Sequence, residues 1–289
     1  MNIGYKSFAI IGGDKRQLYC ARSIADDGYE VVLGGFDKVL SMRAVGLLSC
    51  EDAIKSADVI ILPLPSVDAD GYIPASFSDK KTELEKIAPL LLGKRVFCSM
   101  QEKVCSIAPF LNTPLLSDYF KREDFVLSNA YVTAEGAIKI AMEKYEGTLN
   151  GARILVCGFG RIGKALVRLL SAFHPKLTVS ARNSRDLSEI RMLGAEAVRT
   201  EELYSHEDFD IIFSTVPALI FRPELMAKIS PEALLIDLAS GSGSVDSEAA
   251  KRLNIDYVHA LSLPGKSSPK TAGEIIKDTV YTILEEEYR

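Results

Sequence analysis

Past the middle of the chain an apolar run, "RILVC", meets "GFGRIG" and then "IGKALVRLLSAF", whose apolar residues recur at helical spacing. A strand, a tight turn and a helix in that order form a βα unit, and the next apolar run, "LTVSA", extends it to βαβ. Within the turn Gly158, Gly160 and Gly163 satisfy G-x-G-x-x-G, with Phe159, Arg161 and Ile162 between them. The three glycines serve different ends. Gly158 permits the tight turn, Gly160 lets a pyrophosphate approach the backbone, and Gly163 lets the helix pack on the strand. Backbone N–H groups at the helix start then face the anion. The segment is therefore expected to seat a dinucleotide.

The tip of the second strand of such a unit ordinarily carries an acid that holds the ribose 2′-hydroxyl of NAD. Here that place reads "SARNSRD", and Arg182 and Arg185, with Asn183 and Ser184 between them, offer forked donors suited to a 2′-phosphate. NADP is expected in preference to NAD; the alternative is that both arginines are solvated surface charges.

Short apolar runs alternate with helix-like segments along the whole chain. They read "FAIIG", "YEVVLGG", "DVIILPLP" and "KRVFCS" in the first half, then "ARILVCG", "KLTVSAR", "DIIFSTVP" and "ALLIDLAS". Most lack period-2 alternation, as strands buried on both faces do. The 289 residues suffice for two domains, and "GTLNGARI" supplies glycines and a turn where one boundary belongs. The expected fold class is α/β, with two doubly wound parallel-sheet (Rossmann-like) domains and an interdomain cleft. We place a substrate domain at 1–132, a connecting helix at 133–150, the NADP-binding domain at 151–265, and at 266–289 a C-terminal helix returning to the first domain. Helix starts are read at Thr82 before Glu85, Asp186 before Glu189, and Thr271 before Glu274.

A second glycine turn, "IIGGDKRQ", follows the first strand but has Asp14 and Gln17 where a phosphate site needs glycine, and Asp14 would repel a pyrophosphate. It is expected to be either one wall of a substrate cleft, with Asp14 and Arg16 facing the ligand, or simply a tight turn. In the cofactor domain, Thr215, Val216 and Pro217 of "STVP" and Asp237, Ala239 and Ser240 of "DLASGSGS" follow strands and are expected beside the nicotinamide. The stretch "LPGKSSPKTAGE" reads as a loop stiffened by Pro264 and Pro269 that carries Lys266 and Lys270 to a helix start. "TAEG" (Thr133, Ala134, Glu135, Gly136) and "TAGE" (Thr271, Ala272, Gly273, Glu274) read as two helix starts able to bind carboxylates and lining the cleft, or as small residues that let helices pack closely.

Composition removes several function classes. Hydrophobic residues make up 47% and charged residues 25%, which suits a folded globular chain. A net charge of −5 with no basic stripe argues against nucleic acid. No apolar run approaches the roughly 20 residues of a membrane span, and the opening segment meets a glycine pair too soon for a signal peptide, so a cytoplasmic location is expected. Cys20, Cys50, Cys98, Cys105 and Cys157 form no C-x-x-C and are expected to be core thiols; His174, His206 and His259 have no metal-ligand spacing, and no metal is expected.

Together "IGGDKRQ", "NAYVTAEGAI", "GARILVCGFGRIGKAL", "SARNS", "IDLASGSGSVD" and "LPGKSSPKTAGEII" resemble the dipicolinate synthase A-subunit family over essentially the whole chain. The chain departs from that pattern at "GSGSVD", which lacks a proline, and at "GKSSPKTAG", with serine in place of a small apolar residue. The resemblance implies NADP-linked oxidation of dihydrodipicolinate, or its hydroxytetrahydro precursor from the lysine pathway, to dipicolinate. It further implies the mother cell of a spore-forming bacterium as the setting and the flavoprotein-like B subunit of dipicolinate synthase as the partner; a homo-oligomer is left open. A small ring dicarboxylate needs two anion-binding places, for which the two "TA" segments, Lys266 and Lys270 are candidates, and Glu135 or Lys266 is the candidate base. The alternatives are another dehydrogenase of the 2-hydroxyacid or shikimate type, and a non-catalytic NADP-binding regulatory subunit.

Overall fold

The computed structural model describes residues 4–205 and 208–287; His206 lies outside them. The first half builds β1 (Ser7–Ile11), α1 (Lys15–Asp26), β2 (Glu30–Gly34), β3 (Val45–Leu48), α2 (Cys50–Ser56) and β4 (Val59–Ile61). A small antiparallel pair, β5 (Tyr72–Ile73) and β6 (Thr82–Glu83), precedes α3 (Leu84–Ile87), β7 (Arg95–Cys98), α4 (Gln101–Ile107) and β8 (Leu116–Asp118). The helix α5 (Glu123–Lys144) leads into the second half. There follow β9 (Arg153–Cys157), α6 (Arg161–Ser171), β10 (Lys176–Ala181), α7 (Ser184–Met192), β11 (Glu196–Arg199), β12 (Ile211–Ser214), α8 (Pro223–Met226), β13 (Leu234–Asp237), α9 (Ser247–Arg252) and β14 (Asp256–His259), then α10 (Leu263–Ser267) and α11 (Pro269–Glu287).

The chain divides into two units, one reaching Asn129 and including the segment from Ser268 onward, the other Ala130–Ser267. Each holds a six-stranded sheet, in the order β3-β2-β1-β4-β7-β8 and β11-β10-β9-β12-β13-β14, with every pairing parallel. Both orders are the doubly wound dinucleotide-fold order, in which the chain reverses direction across the sheet after its third strand. The α/β expectation holds. The edge strands β3, β8, β11 and β14 carry no long apolar run and escape a reading based on hydrophobicity.

Alternate residues of a central strand enter different cores, which is why those runs do not alternate in polarity. In β1, Phe8 and Ile10 join one cluster with Ile24, Val31 and Ile276 from α1, β2 and α11, whereas Ala9 and Ile11 join another with Ile54, Ile60 and Val104. In β9, Ile154 and Val156 pack with Leu166, Leu170 and Ile190, and Leu155 and Cys157 with Phe221, Leu225 and Ala249.

The helix α11 lies on α1 within the first unit, and Gly273 makes this possible: a Cβ there would sit 2.8 Å from the Cys20 amide nitrogen and 2.9 Å from Tyr19 Cβ. Its C-terminal end is tied to the sheet by Glu287, which accepts from the fully buried guanidinium of Arg95; Arg95 also donates to the Leu115 carbonyl at 2.7 Å and lies 4.3 Å from the Phe97 ring.

Several helix boundaries differ from the sequence reading. Thr82 belongs to β6, and α3 begins after Glu83 without a side-chain cap. The cap of α7 is Asn183, which accepts from the Asp186 amide at 2.8 Å, so Asp186 is inside the first turn. The "LPGKSSPKTAGE" stretch is no loop: it contains α10 and the start of α11, with the Ala272 amide donating to the Ser268 carbonyl. Thr271 is therefore the third residue of α11, not its cap. Thr133 lies in the interior of α5, which begins ten residues earlier, so "TAEG" is no helix start and its amides are not helix-end donors.

Candidate functional site: the glycine turn of the second unit

The turn between β9 and α6 sits beside the end of β12, where the second sheet reverses its winding. Gly158 has φ +99°, and a Cβ on it would come 2.5 Å from Thr215 Oγ1 and 2.8 Å from Val216 Cγ2. Thr215 is itself anchored, its backbone N–H and hydroxyl both donating to the Cys157 carbonyl at 2.9 and 3.1 Å. A Cβ on Gly163 would collide with the Gly158 carbonyl oxygen. Gly160 is different. It is the N-cap of α6, it supplies no capping side chain, and space for a Cβ there is open to 4 Å. The first-turn amides of an α-helix have no partner inside the helix, and a glycine cap leaves them open to an anion. The residues fit a pyrophosphate.

Around this turn the side chains are already ordered by the protein. Phe159 is buried, with Lys164 Nζ 4.9 Å from its ring centre, and Lys164 pairs with Glu189 of α7 at 2.8 Å. Arg161 is exposed and Ile162 half-buried. Beyond β10, Arg182, Asn183, Ser184 and Arg185 are all exposed, and Asn183 Nδ2 donates to Asp186 Oδ2 at 2.8 Å. Among the described residues neither Arg182 nor Arg185 is in an ion pair. Sequence reading missed Arg199, whose guanidinium reaches the same turn; strand register, invisible in a single sequence, brings it there.

Val216 is half-buried and Pro217 exposed at the end of β12. Asp237 turns away from solvent: it is fully buried and accepts from the amides of Ala239 at 3.0 Å and Ser244 at 2.6 Å, which shapes the "ASGSGS" turn. Ala239 is buried, Ser240 is exposed, and the Ala239 carbonyl lies 3.1 Å from His259 Nε2. Glu135 and Lys266 are exposed on α5 and α10. The helices carrying them are in contact at the adjoining residues, since a Cβ on Gly136 would lie 2.7 Å from Ser267 Oγ. Thr133 and Ala134 are buried inside the second unit, whereas Lys270 and Thr271 are exposed and Ala272 buried in the first. For both small-residue segments the structure gives the packing role: Gly136 admits α10, and Gly273 admits α1.

The turn at Gly12 and Gly13 is covered. The Gly13 amide donates to the Pro74 carbonyl at 2.6 Å and the Ser76 amide donates to the Gly13 carbonyl at 2.8 Å, so the loop after β5 lies across the glycines. The start of α1 is also filled from within: Asp14 Oδ1 accepts from the Arg16 amide at 2.9 Å, and the Gln17 side chain accepts from the Asp14 amide at 2.9 Å. Arg16 adds a two-point grip on the Asp14 carboxylate and donates to the Leu64 carbonyl at 2.7 Å. The Gly13, Asp14 and Arg16 amides that a pyrophosphate would use are thus already bonded within the protein. Asp14 and Arg16 spend their charges on one another and on the backbone.

Cys20, Cys98 and Cys157 are buried core thiols, whereas Cys50 and Cys105 are half-buried at the edge of the core. Burial pushes Cys157 up to about 11 and Cys20 up to about 12, and it raises Cys50, Cys98 and Cys105 as well, the direction opposite to that of a reactive thiolate. Among the described residues no three His, Cys, Asp or Glu side chains gather as a metal would need, and no helix is long and apolar enough to cross a membrane.

Two doubly wound units, one with an open glycine turn and the other with its turn sealed, define a dehydrogenase-like protein with a nicotinamide-cofactor domain in its second unit. Residues 123–260 match the D-isomer specific 2-hydroxyacid dehydrogenase NAD binding domain, and residues 7–108 match the N-terminal domain of the dipicolinate synthase A subunit. The dipicolinate synthase A subunit of Bacillus subtilis is 30% identical over 96% of this chain and 95% of its own length. The crystal structures of the dipicolinate synthase A subunits from Bacillus halodurans (TM-score 0.85, 28% identity, 96% of this chain and 97% of that one) and Bacillus subtilis (TM-score 0.84, 29%, 97% and 96%) share the fold throughout. The chain belongs to the dipicolinate synthase A-subunit family.

Proposed function

We propose that the chain is the NADP-linked oxidoreductase component that forms dipicolinate from dihydrodipicolinate, or from its hydroxytetrahydro precursor, during sporulation. It acts with the flavoprotein-like B subunit of dipicolinate synthase in the cytoplasm of the mother cell. The observation that carries the reading is the open, uncapped glycine turn of the second unit, set in a chain alike over its full length to proteins of that name.

The amides at the start of α6 hold the diphosphate, Arg182 and Arg185 take the 2′-phosphate, and Thr215 to Pro217 border the nicotinamide end. The bound cofactor supplies the hydride acceptor, and the chain contributes binding and orientation. NADP is favoured because no carboxylate stands at the tip of β10, where an acid would repel a 2′-phosphate and hold a 2′-hydroxyl. Lys266 and Lys270 are offered as carboxylate partners for a dicarboxylic ring, and Glu135 or Lys266 as the group that takes its proton.

The test is the appearance of reduced nicotinamide absorbance when the purified chain, NADP and the candidate substrate are mixed, with and without the second protein. Turnover that requires the dicarboxylate supports the reading. Cofactor binding without turnover in either mixture favours a purely regulatory role.

A further inference from the structure

We propose that Arg199 is a positioning residue for cofactor choice: it reaches from the neighbouring strand to fix the Arg182–Arg185 turn as a rigid clasp for the 2′-phosphate of NADP. This rests on the NADP reading above and names a residue which that reading does not contain.

Arg199 is the last residue of β11 and stands in register with Ala181, the last residue of β10. Its guanidinium crosses to the next turn and donates from Nη1 to the Arg182 carbonyl at 3.1 Å and from Nη2 to Ser184 Oγ at 3.4 Å. The two contacts flank Asn183, which is itself locked as the cap of α7. The turn is thus held from the α7 side by Asn183 and from the β11 side by Arg199.

Two physical consequences follow for an anion. A backbone carbonyl at the rim of a phosphate site presents its negative end to the ligand, and a guanidinium hydrogen-bonded to that carbonyl offsets it. Arg182, Arg185 and Arg199 are all exposed on one rim, and among the described residues none of them is in an ion pair. Asp186 shares this turn, with its carboxylate accepting from Asn183; the three cations around it still repel one another, and a doubly charged phosphate relieves that repulsion where a 2′-hydroxyl does not.

The experiment titrates the full-length chain with NADPH and with NADH, following nucleotide fluorescence, for wild type, Arg199→Met, Arg199→Lys and, as reference, Arg182→Asp. The expected result for Arg199→Met is a Kd for NADPH raised about tenfold with the Kd for NADH moved by no more than about twofold. Arg199→Lys, which keeps the charge but not the planar fork, falls between the two. Melting curves confirm folding, and Arg199→Lys carries the test should the methionine variant not fold. Equal weakening of both nucleotides, or no change in either, overturns the proposal by making Arg199 a mere brace or a bystander. The two readings separate cleanly: a wild type that binds NADPH no tighter than NADH defeats both. A wild type whose NADPH preference is lost in Arg182→Asp but kept in Arg199→Met defeats this one alone.

Discussion

Gly160 and Gly163 stand three residues apart in one turn and fail differently when given a side chain. A methyl at Gly163 meets the Gly158 carbonyl, so Gly163→Ala should cost about 1–3 kcal/mol of stability, read as a lower melting temperature. A methyl at Gly160 meets no protein atom within 4 Å, and its φ of −78° suits alanine. Gly160→Ala should leave the melting temperature unchanged and weaken NADPH by about tenfold, because only the ligand needs that space. Equal melting-temperature losses in the two variants would contradict this division. The division was legible in the sequence, since the motif's spacing follows from strand, turn and helix geometry alone. The seal over Gly12 and Gly13 was not: Pro74 and Ser76 come from a loop some sixty residues away. Asp14 and Gln17 gave only half of it, as absent glycines.

At the level of elements, hydrophobic runs located the central strands because burial on both faces leaves a strong signal. Helix ends were less legible. The helix α5 starts at Glu123 rather than at 133, and the weak intrinsic helix propensity of Val126, Ser128, Asn129 and Val132 hides its first turns from a reading of the sequence. Ion pairs between strand starts are equally non-local. Asp210, just before β12, accepts from the Arg153 side chain and amide, each at 2.7 Å, and the Arg153 guanidinium beside it holds its carboxyl below the usual aspartate range. Since its folded value lies below the unfolded one of about 3.9, the stabilisation is present above that pH and is lost as pH falls through the folded value. Melting temperature against pH should therefore fall less steeply on the acid side for Asp210→Asn than for wild type. Parallel curves would show that the pair does not contribute.

For the whole molecule, the chain builds one strand order twice, with the glycine turn covered in the first copy and open in the second. Each unit has its own cores, and the C-terminal helix completes the first. Ile276, Val280, Ile283 and Leu284 are buried there, each worth about 1.5–3 kcal/mol, which together is comparable to the stability of a domain. Gly273→Val should push α11 off α1 and lower amide-exchange protection across β1, β2 and β4, while β9, β10 and β12 keep theirs. Loss of protection in both sheets alike would mean that the units do not unfold separately. The sequence disclosed two sheets by their rhythm, and the return of the last helix was an expectation drawn from the overall pattern. What it could not disclose was which glycine turn is covered, because that depends on loop closure.

The most direct measurement is a crystal structure of the chain grown with NADP. The diphosphate is predicted within hydrogen-bond reach of the amides that follow Gly160, with the 2′-phosphate toward Arg182. A dinucleotide lying on Gly12 and Gly13, with the Pro74 loop displaced, would contradict the account.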